Sequence, residues 1–172
     1  MNAYVGIFFK PKNNGIICFY NPNEHTPRFW YIQRDSSASF ICKNMLSYID
    51  KNCSSIHVHI NDNKITKPKQ LALYNQVIGM LDGVGQFRDI KTRIVSKEKI
   101  QNRIMNLLSI KTKKEFVSKM KTKKMHNNQY NLVYEMVKMQ SRQSINAHLD
   151  CYLLSYYGFL KDKINSYNHK EY

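Results

Sequence analysis

Two groups of residues in this sequence have types and spacings that could support chemistry. Ten basic side chains fall between positions 97 and 125, where two acidic residues occur, so this segment has a net charge of +8. Such a density of lysine and arginine is typical of proteins that contact nucleic-acid phosphates, and a lysine-rich surface that only maintains solubility is the alternative. His57 and His59 alternate along a predicted strand and project from one face of it, as metal ligands and half-buried histidines both can.

The side chains that we expect to contact phosphate share a positive charge. Two of them flank the first predicted hairpin, and the others lie in the basic segment. They are Lys10, Lys12, Lys97, Lys99, Arg103, Lys111, Lys113, Lys114, Lys119, Lys121, Lys123 and Lys124.

The composition of the whole chain points to a folded domain with a polyanionic partner. The 172 residues include 27 Lys and Arg against 12 Asp and Glu, a formal net charge of +15, while 42% hydrophobic and 12% aromatic residues exclude a disordered basic tail. Nucleic acid is the commonest polyanion, and we expect no membrane partner because no apolar run approaches about 18 residues. We therefore expect one domain over residues 1–172 and a soluble, intracellular protein. Four cysteines without metal-type spacing indicate reduced, buried thiols and no structural zinc.

The elements that must position these residues can be read from turn signals and hydrophobic periodicity. Short runs rich in β-branched and aromatic residues, bounded by Asn, Pro and Gly, predict five strands. They cover residues 4–9, 16–20, 28–32, 55–60 and 90–95. The first three are joined by turns and should be antiparallel, whereas strands joined through a helix are normally parallel.

Helices are predicted after the third strand, after the fourth strand and throughout the chain from Lys97 onward. Ser36 or Ser37 can cap the first of them, and the second should end near Gly83 and Gly85. The fold class is therefore α/β, with a mixed five-stranded sheet of three antiparallel strands followed by two parallel ones, flanking helices and a helical C-terminal half.

Specific residues along this framework resemble a known family. Residues 6–16, with the sequence GIFFKPKNNGI, resemble the first-strand motif of the poxvirus-type Holliday junction resolvases, relatives of bacterial RuvC in the RNase H-like superfamily. Lys12, Asn13, Gly15 and Ile16 match that motif. Four further segments resemble later parts of the family pattern, so that the likeness spans nearly the whole chain: residues 58–63, 93–96, 113–117 and 146–150.

The resemblance implies a catalytic site that this sequence has lost. Members of the family resemble one another in holding two Mg²⁺ ions with acidic side chains, and these ions activate water and stabilise the leaving oxygen of a phosphodiester. On that pattern Phe8 stands in the place of the first-strand Asp, Asn61 in that of the fourth-strand Glu, and Asn146 and Ala147 in those of two paired aspartates. Asp150 alone keeps a carboxylate. Because no Asp or Glu occurs before position 24, the first strand lacks a carboxylate at any alignment.

A substitute site remains conceivable beside the lost one. Asp62 is adjacent to the position of the missing Glu, and together with Asp150 and one of His57, His59 or His148 it could hold a single metal ion. We predict no metal or other cofactor, and Mg²⁺ would be needed only if such a site were active.

The leading hypothesis from the sequence is a catalytically inactive, resolvase-like protein of viral type that binds DNA, including branched DNA, through its basic helical region. The resemblance also implies a homodimer and a location in the host cytoplasm or the virion. One alternative is a structural or assembly protein of a virion or replication complex that contacts a viral protein partner. The other is an active, metal-dependent Holliday junction endonuclease built on Asp62 and Asp150.

Overall fold

A single mixed sheet of five strands organises the fold. The computed structural model describes residues 1–10, 14–23, 27–62, 67–107, 111–112, 115 and 145–168. Its strands lie in the order β3-β2-β1-β4-β5. They are β1 (Asn2–Lys10), β2 (Asn14–Tyr20), β3 (Arg28–Ile32), β4 (Ser55–Asn61) and β5 (Ile90–Val95). The pairs β1–β2 and β2–β3 are antiparallel and the pairs β1–β4 and β4–β5 are parallel, as the element order predicts.

Four described helices flank this sheet. They are α1 (Ala38–Ser47), α2 (Pro68–Gly85), α3 (Lys97–Leu107) and α4 (Ile145–Asn168). Ser37 is the N-cap of α1, since its hydroxyl accepts a hydrogen bond of 3.2 Å from the N–H of Phe40. Proline starts α2, where its missing N–H costs no helical hydrogen bond, and Ser96 accepts a hydrogen bond from the N–H of Lys99 at the start of α3.

The two faces of the sheet bury separate cores, because successive side chains of a strand point to opposite faces. One face of β1, carrying Val5, Ile7 and Phe9, packs against α1 and α2. The other face, which includes Tyr4, packs against α4. Its buried partners from β2 and α4 include Ile16, Cys18, Cys151, Tyr152 and Leu154.

Helix α4 lies unusually close to the middle of the sheet. The thiol of Cys151 donates to the carbonyl oxygens of Gly6 at 3.3 Å and Ile16 at 3.1 Å. A Cβ on Gly6 would overlap the carbonyl oxygen of Cys151 and stand 2.9 Å from the Cβ of Leu154. Glycine at position 6 is therefore what permits the helix to rest on the backbone of β1.

The cysteines are all free, as expected, and three of the four are buried. Within the described ranges, no helix has both the length and the apolar character needed to cross a membrane.

Candidate functional site

The carboxyl ends of the parallel strands meet at one edge of the sheet and open onto a pocket of about 150 Å³. In open α/β sheets this edge is the usual place for a ligand. The pocket is lined by the ends of β1, β4 and β5 and by residues of α3 and α4: Phe8, Asn61, Asp62, Val95, Lys97, Ile100, Asp150, Leu153 and Leu154. Three positions that the family resemblance assigns to catalysis, Phe8, Asn61 and Asp150, thus come together here although they are far apart in the sequence.

Apolar side chains make up most of this pocket. Phe8 belongs with the core between the sheet and α4, and Val95, Ile100, Leu153 and Leu154 are buried around it. Hard divalent cations such as Mg²⁺ require several oxygen ligands, with carboxylates foremost. Phe8 offers no such ligand, so the pocket does not fit a two-metal centre of the kind that the resemblance implies.

The side chain of Asn61 is engaged in holding the sheet together. Its Oδ1 accepts a hydrogen bond of 2.8 Å from the N–H of Phe9, and its Nδ2 donates to the carbonyl oxygen of Phe9 at 3.3 Å. Asn61 is buried, and its amide pairs with β1 as another peptide group would. Because an ionised carboxylate accepts hydrogen bonds but cannot donate them, the amide satisfies both backbone groups and an ionised carboxylate would not.

The surviving carboxylate, Asp150, is paired with a lysine. The Nζ of Lys97 donates to Oδ2 of Asp150 at 3.0 Å. Burial raises the pKa of Asp150 above its ordinary value, while the hydrogen bond and positive charge of Lys97 act to lower it. An ammonium group thereby supplies the positive charge that a metal ion brings to such a carboxylate in an active site.

Asp62 stands at the exposed rim of the same pocket. Its backbone N–H donates to the carbonyl oxygen of Val95 at 3.0 Å, which continues the pairing of β4 with β5. Asp62 and Asp150 therefore line one pocket, as the alternative of a substitute metal site requires.

The three histidines considered as further ligands lie elsewhere. His57 is 3.9 Å from Asp162, measured from Nε2 to Oδ1, and Nε2 of His148 is 2.7 Å from the hydroxyl of Tyr31. His59 is buried beneath α4, where its ring packs against Tyr157. None of the three lines the pocket of Asp62 and Asp150. Among the residues with described positions, no three His, Cys, Asp or Glu side chains form a group that could hold a metal ion.

The buried ring of His59 makes stability depend on pH. Neither ring nitrogen has a hydrogen-bond partner in the described parts of the chain, and burial, aided by the charges of His57, Arg93 and Lys161, lowers the pKa of His59 to about 4 from 6.5. The unfolded chain binds a proton below pH 6.5 that the folded chain excludes until about pH 4. The contribution of neutral His59 to the free energy of unfolding is therefore complete above pH 6.5, and it is lost as the pH falls from 6.5 to about 4.

When the pH is lowered from 7 to 5, we expect the proton linkage of His59 to decrease the free energy of unfolding by about 2 kcal/mol. Urea denaturation of the wild type and of His59→Leu at the two pH values measures this effect, since leucine fills a similar volume without titrating. An equally steep pH dependence in His59→Leu would contradict the assignment.

The basic residues predicted from the sequence fall into two sets. Among the described residues, Lys10 is half-buried at the end of β1, whereas Lys97, Lys99, Arg103 and Lys111 are exposed. The remaining predicted positions lie outside the described residues: Lys12, Lys113, Lys114, Lys119, Lys121, Lys123 and Lys124.

Two cations that were not predicted from the sequence, Lys161 and Arg93, lie near the exposed cations of α3. Lys161 on α4 lines a groove of about 520 Å³ together with Lys99 and Arg103 of α3, and Arg93 of β5 is near enough to act on it electrostatically. Burial lowers the pKa of Lys161, and the charges of Arg93, Lys99 and Arg103 lower it further. Tyr157 and Lys161 are four residues apart, so the sequence indicates that they lie on the same side of a helix. It does not indicate that this side faces α3.

The other two positions at which the resemblance expects aspartates, Asn146 and Ala147, lie on the first turn of α4. Ala147 is half-buried and packs against the core between α4 and the sheet. Asn146 is one helical turn before Asp150, and its side chain lies outside the described part of the chain.

Neither a protein-family model nor a curated protein matches this chain.

Proposed function

We propose that this protein is a catalytically inactive relative of the poxvirus-type, RuvC-like Holliday junction resolvases, with an RNase H-like fold, and that it binds DNA. The observation that carries the proposal is the meeting of Phe8, Asn61 and Asp150 in one pocket at the carboxyl edge of the sheet. These positions were assigned to catalysis from short motifs placed on the predicted order of strands and helices. The parallel pairing of β1 with β4 brings Phe8 and Asn61 together, and the packing of α4 on the sheet adds Asp150.

The mixed sheet supports the proposed fold. Its three antiparallel strands, two parallel strands and helical crossovers follow the element order that the resemblance implies. The pocket also lies where the family resemblance requires its metal ions, at the ends of β1 and β4 beside α4.

The contacts within the pocket support the loss of activity. Phosphodiester hydrolysis by two metal ions depends on carboxylates that fix both ions about 4 Å apart. Phe8 is apolar, the amide of Asn61 is bonded to the backbone of Phe9, and Asp150 is paired with Lys97. None of these three side chains presents an unpaired carboxylate group, which is the ligand that Mg²⁺ requires.

Charge supports DNA as the ligand. The net charge of +15 includes +8 within residues 97–125, and α3, which carries Lys97, Lys99 and Arg103, borders the pocket. A surface of this kind binds phosphates whether or not the adjacent site can cleave them.

The proposal is tested by titrating the protein against a four-way DNA junction, duplex DNA and single-stranded DNA at several salt concentrations, with and without Mg²⁺ or Mn²⁺. We expect binding that weakens steeply with salt, with a slope of about −0.9 for each neutralised phosphate of duplex DNA, and no cleavage with either metal. Metal-dependent cleavage that disappears in Asp150→Asn would overturn inactivity in favour of a nuclease built on Asp62 and Asp150. A lack of binding at low salt would instead favour the structural or assembly role.

A further inference from the structure

We propose that the groove between α3 and α4 holds the sugar-phosphate backbone of the bound nucleic acid. We name it the α3/α4 groove, and its lining residues are Ser96, Glu98, Lys99, Asn102, Arg103, Asn106, Tyr157 and Lys161. This inference rests on the proposed DNA-binding function and identifies the surface that performs it.

Two helices that are distant in the sequence bring their cations to this groove, and a strand places a further cation near it. Lys99 and Arg103 extend from α3, Lys161 extends from α4, and Arg93 lies on β5 beside His59 of β4. In the described ranges, none of these four cations has a carboxylate within ion-pair distance, whereas Lys91 pairs with Asp89 and Lys97 with Asp150. The charges of Arg93, Lys99 and Arg103 all act to lower the pKa of Lys161, as expected for cations gathered at one surface.

The arrangement along α3 suits an extended chain of phosphates. Lys99, Asn102, Arg103 and Asn106 follow one another at spacings of three and four residues, so they form one stripe on the helix. All four are exposed. Lys99 and Arg103 are separated by about 6 Å along the helix axis, which is comparable with the distance between neighbouring phosphates of a nucleic-acid strand.

Neutral hydrogen-bond donors accompany the charges. The amides of Asn102 and Asn106 and the hydroxyl of Ser96 line the same groove. Contacts of this mixed kind, from arginine, lysine, asparagine and serine, are the ones that position proteins on a phosphate backbone without reading bases. An acidic peptide could satisfy the cations but would present its carboxylates on flexible side chains, so the regular spacing favours a nucleic-acid strand.

The test compares two double variants that remove the same charge from opposite sides of the sheet. Arg103→Gln with Lys161→Gln alters the groove, while Lys43→Gln with Lys69→Gln alters exposed lysines on α1 and α2. With a short fluorescein-labelled DNA duplex as probe, we expect the groove variant to bind roughly tenfold more weakly and to lower the salt slope by about 2. The control variant should retain the wild-type slope.

A footprint on the unmodified protein gives an independent measurement. Acetylation of lysines, quantified by mass spectrometry, should be suppressed by DNA at Lys99 and Lys161 and unaffected at Lys43 and Lys69. This result does not depend on whether a variant folds.

The outcomes separate this inference from the function on which it rests. If the wild type binds DNA but the groove variant equals the control and Lys161 is not protected, the groove is not the binding surface, although the protein still binds DNA. If the wild type fails to bind DNA at low salt, both proposals fail. If polyglutamate of equal charge displaces the duplex from the groove as effectively as unlabelled DNA does, the assignment to nucleic acid is overturned.

Discussion

Replacing Gly6 with alanine is expected to lower the free energy of unfolding by about 3 kcal/mol or more, measured by urea denaturation. The added Cβ would overlap the carbonyl oxygen of Cys151 and lie 2.9 Å from the backbone nitrogen of Ser155. Both atoms belong to the backbone of α4, so no change of side-chain rotamer relieves the overlap. The helix must move away from the sheet, and the buried contacts of Tyr152 and Leu154 weaken with it.

A matched substitution elsewhere isolates this steric effect. Gly79 is exposed in the interior of α2, and a Cβ there meets no atom within 4 Å. Gly79→Ala should raise the free energy of unfolding by about 0.5–1 kcal/mol, because alanine favours the helix. The same added methyl group is thus expected to have opposite effects at the two positions. A Gly6→Ala variant as stable as the wild type would mean that α4 does not rest on β1 at this point.

Replacing Asn61 with aspartate is expected to lower the free energy of unfolding by about 3 kcal/mol at pH 7. The change restores an acidic residue to the position that the resolvase resemblance assigns to catalysis. The carboxylate would still accept from the N–H of Phe9, but it would face the carbonyl oxygen of Phe9 with no proton to donate. A buried charge would result at the junction of β1 and β4, and the carbonyl oxygen of Phe9 would lose the hydrogen bond from Asn61.

The pH dependence of this variant tests the same contact. A protonated carboxyl group can donate to one backbone oxygen and accept from one N–H, as the amide does. The pKa of the introduced group should therefore be raised in the folded state, and its destabilising effect should grow as the pH rises from 4 to 7. Asn44→Asp is a suitable control, since the Nδ2 of Asn44 donates to the carbonyl oxygen of Phe40 at the surface of α1. Equal losses in the two variants would contradict a special role for Asn61.

The substitutions Gly6→Ala and Asn61→Asp both test contacts that tie the pocket at the end of β1 and β4 to the buried core. Asn61 joins two central strands, and close to it Phe8 of β1 is half-buried and Leu154 of α4 is buried where α4 packs on the sheet. The hydrogen bonds of Asn61 and the packing of Phe8 stabilise the fold. Restoring a single carboxylate therefore has a structural cost before any metal can bind.

Local patterns in the sequence were sufficient for most of the fold. Each of the five strands appears where its β-branched and aromatic runs predict, with ends that coincide or differ by at most two residues, and Ser37 caps α1 as expected. Helix α2 ends at Gly85, as its glycines suggest. These features depend on neighbouring residues, so periodicity and turn chemistry determine them.

The candidate site could be predicted only in part. The absence of Asp and Glu before position 24 is a fact of sequence, and it removes any carboxylate from β1 without reference to structure. The roles of Asn61 and Asp150 were not predictable, because a hydrogen bond to Phe9 and an ion pair with Lys97 join residues that are far apart along the chain. The sequence likewise suggested His59, with His57, as a possible metal ligand, yet the ring of His59 is buried beneath α4.

The sequence by itself determined the positive charge, its concentration in residues 97–125, the order of strands and helices, and the lack of first-strand carboxylates. The tertiary structure decided that Phe8, Asn61 and Asp150 share one pocket. It also decided that Lys161 joins Lys99 and Arg103 at one groove, with Arg93 near enough to act on Lys161 electrostatically. The physical reason is that composition and periodicity report on each segment separately. Strand pairing and the seating of α3 and α4 on the sheet set the distances between segments, and those distances decide which charges act together.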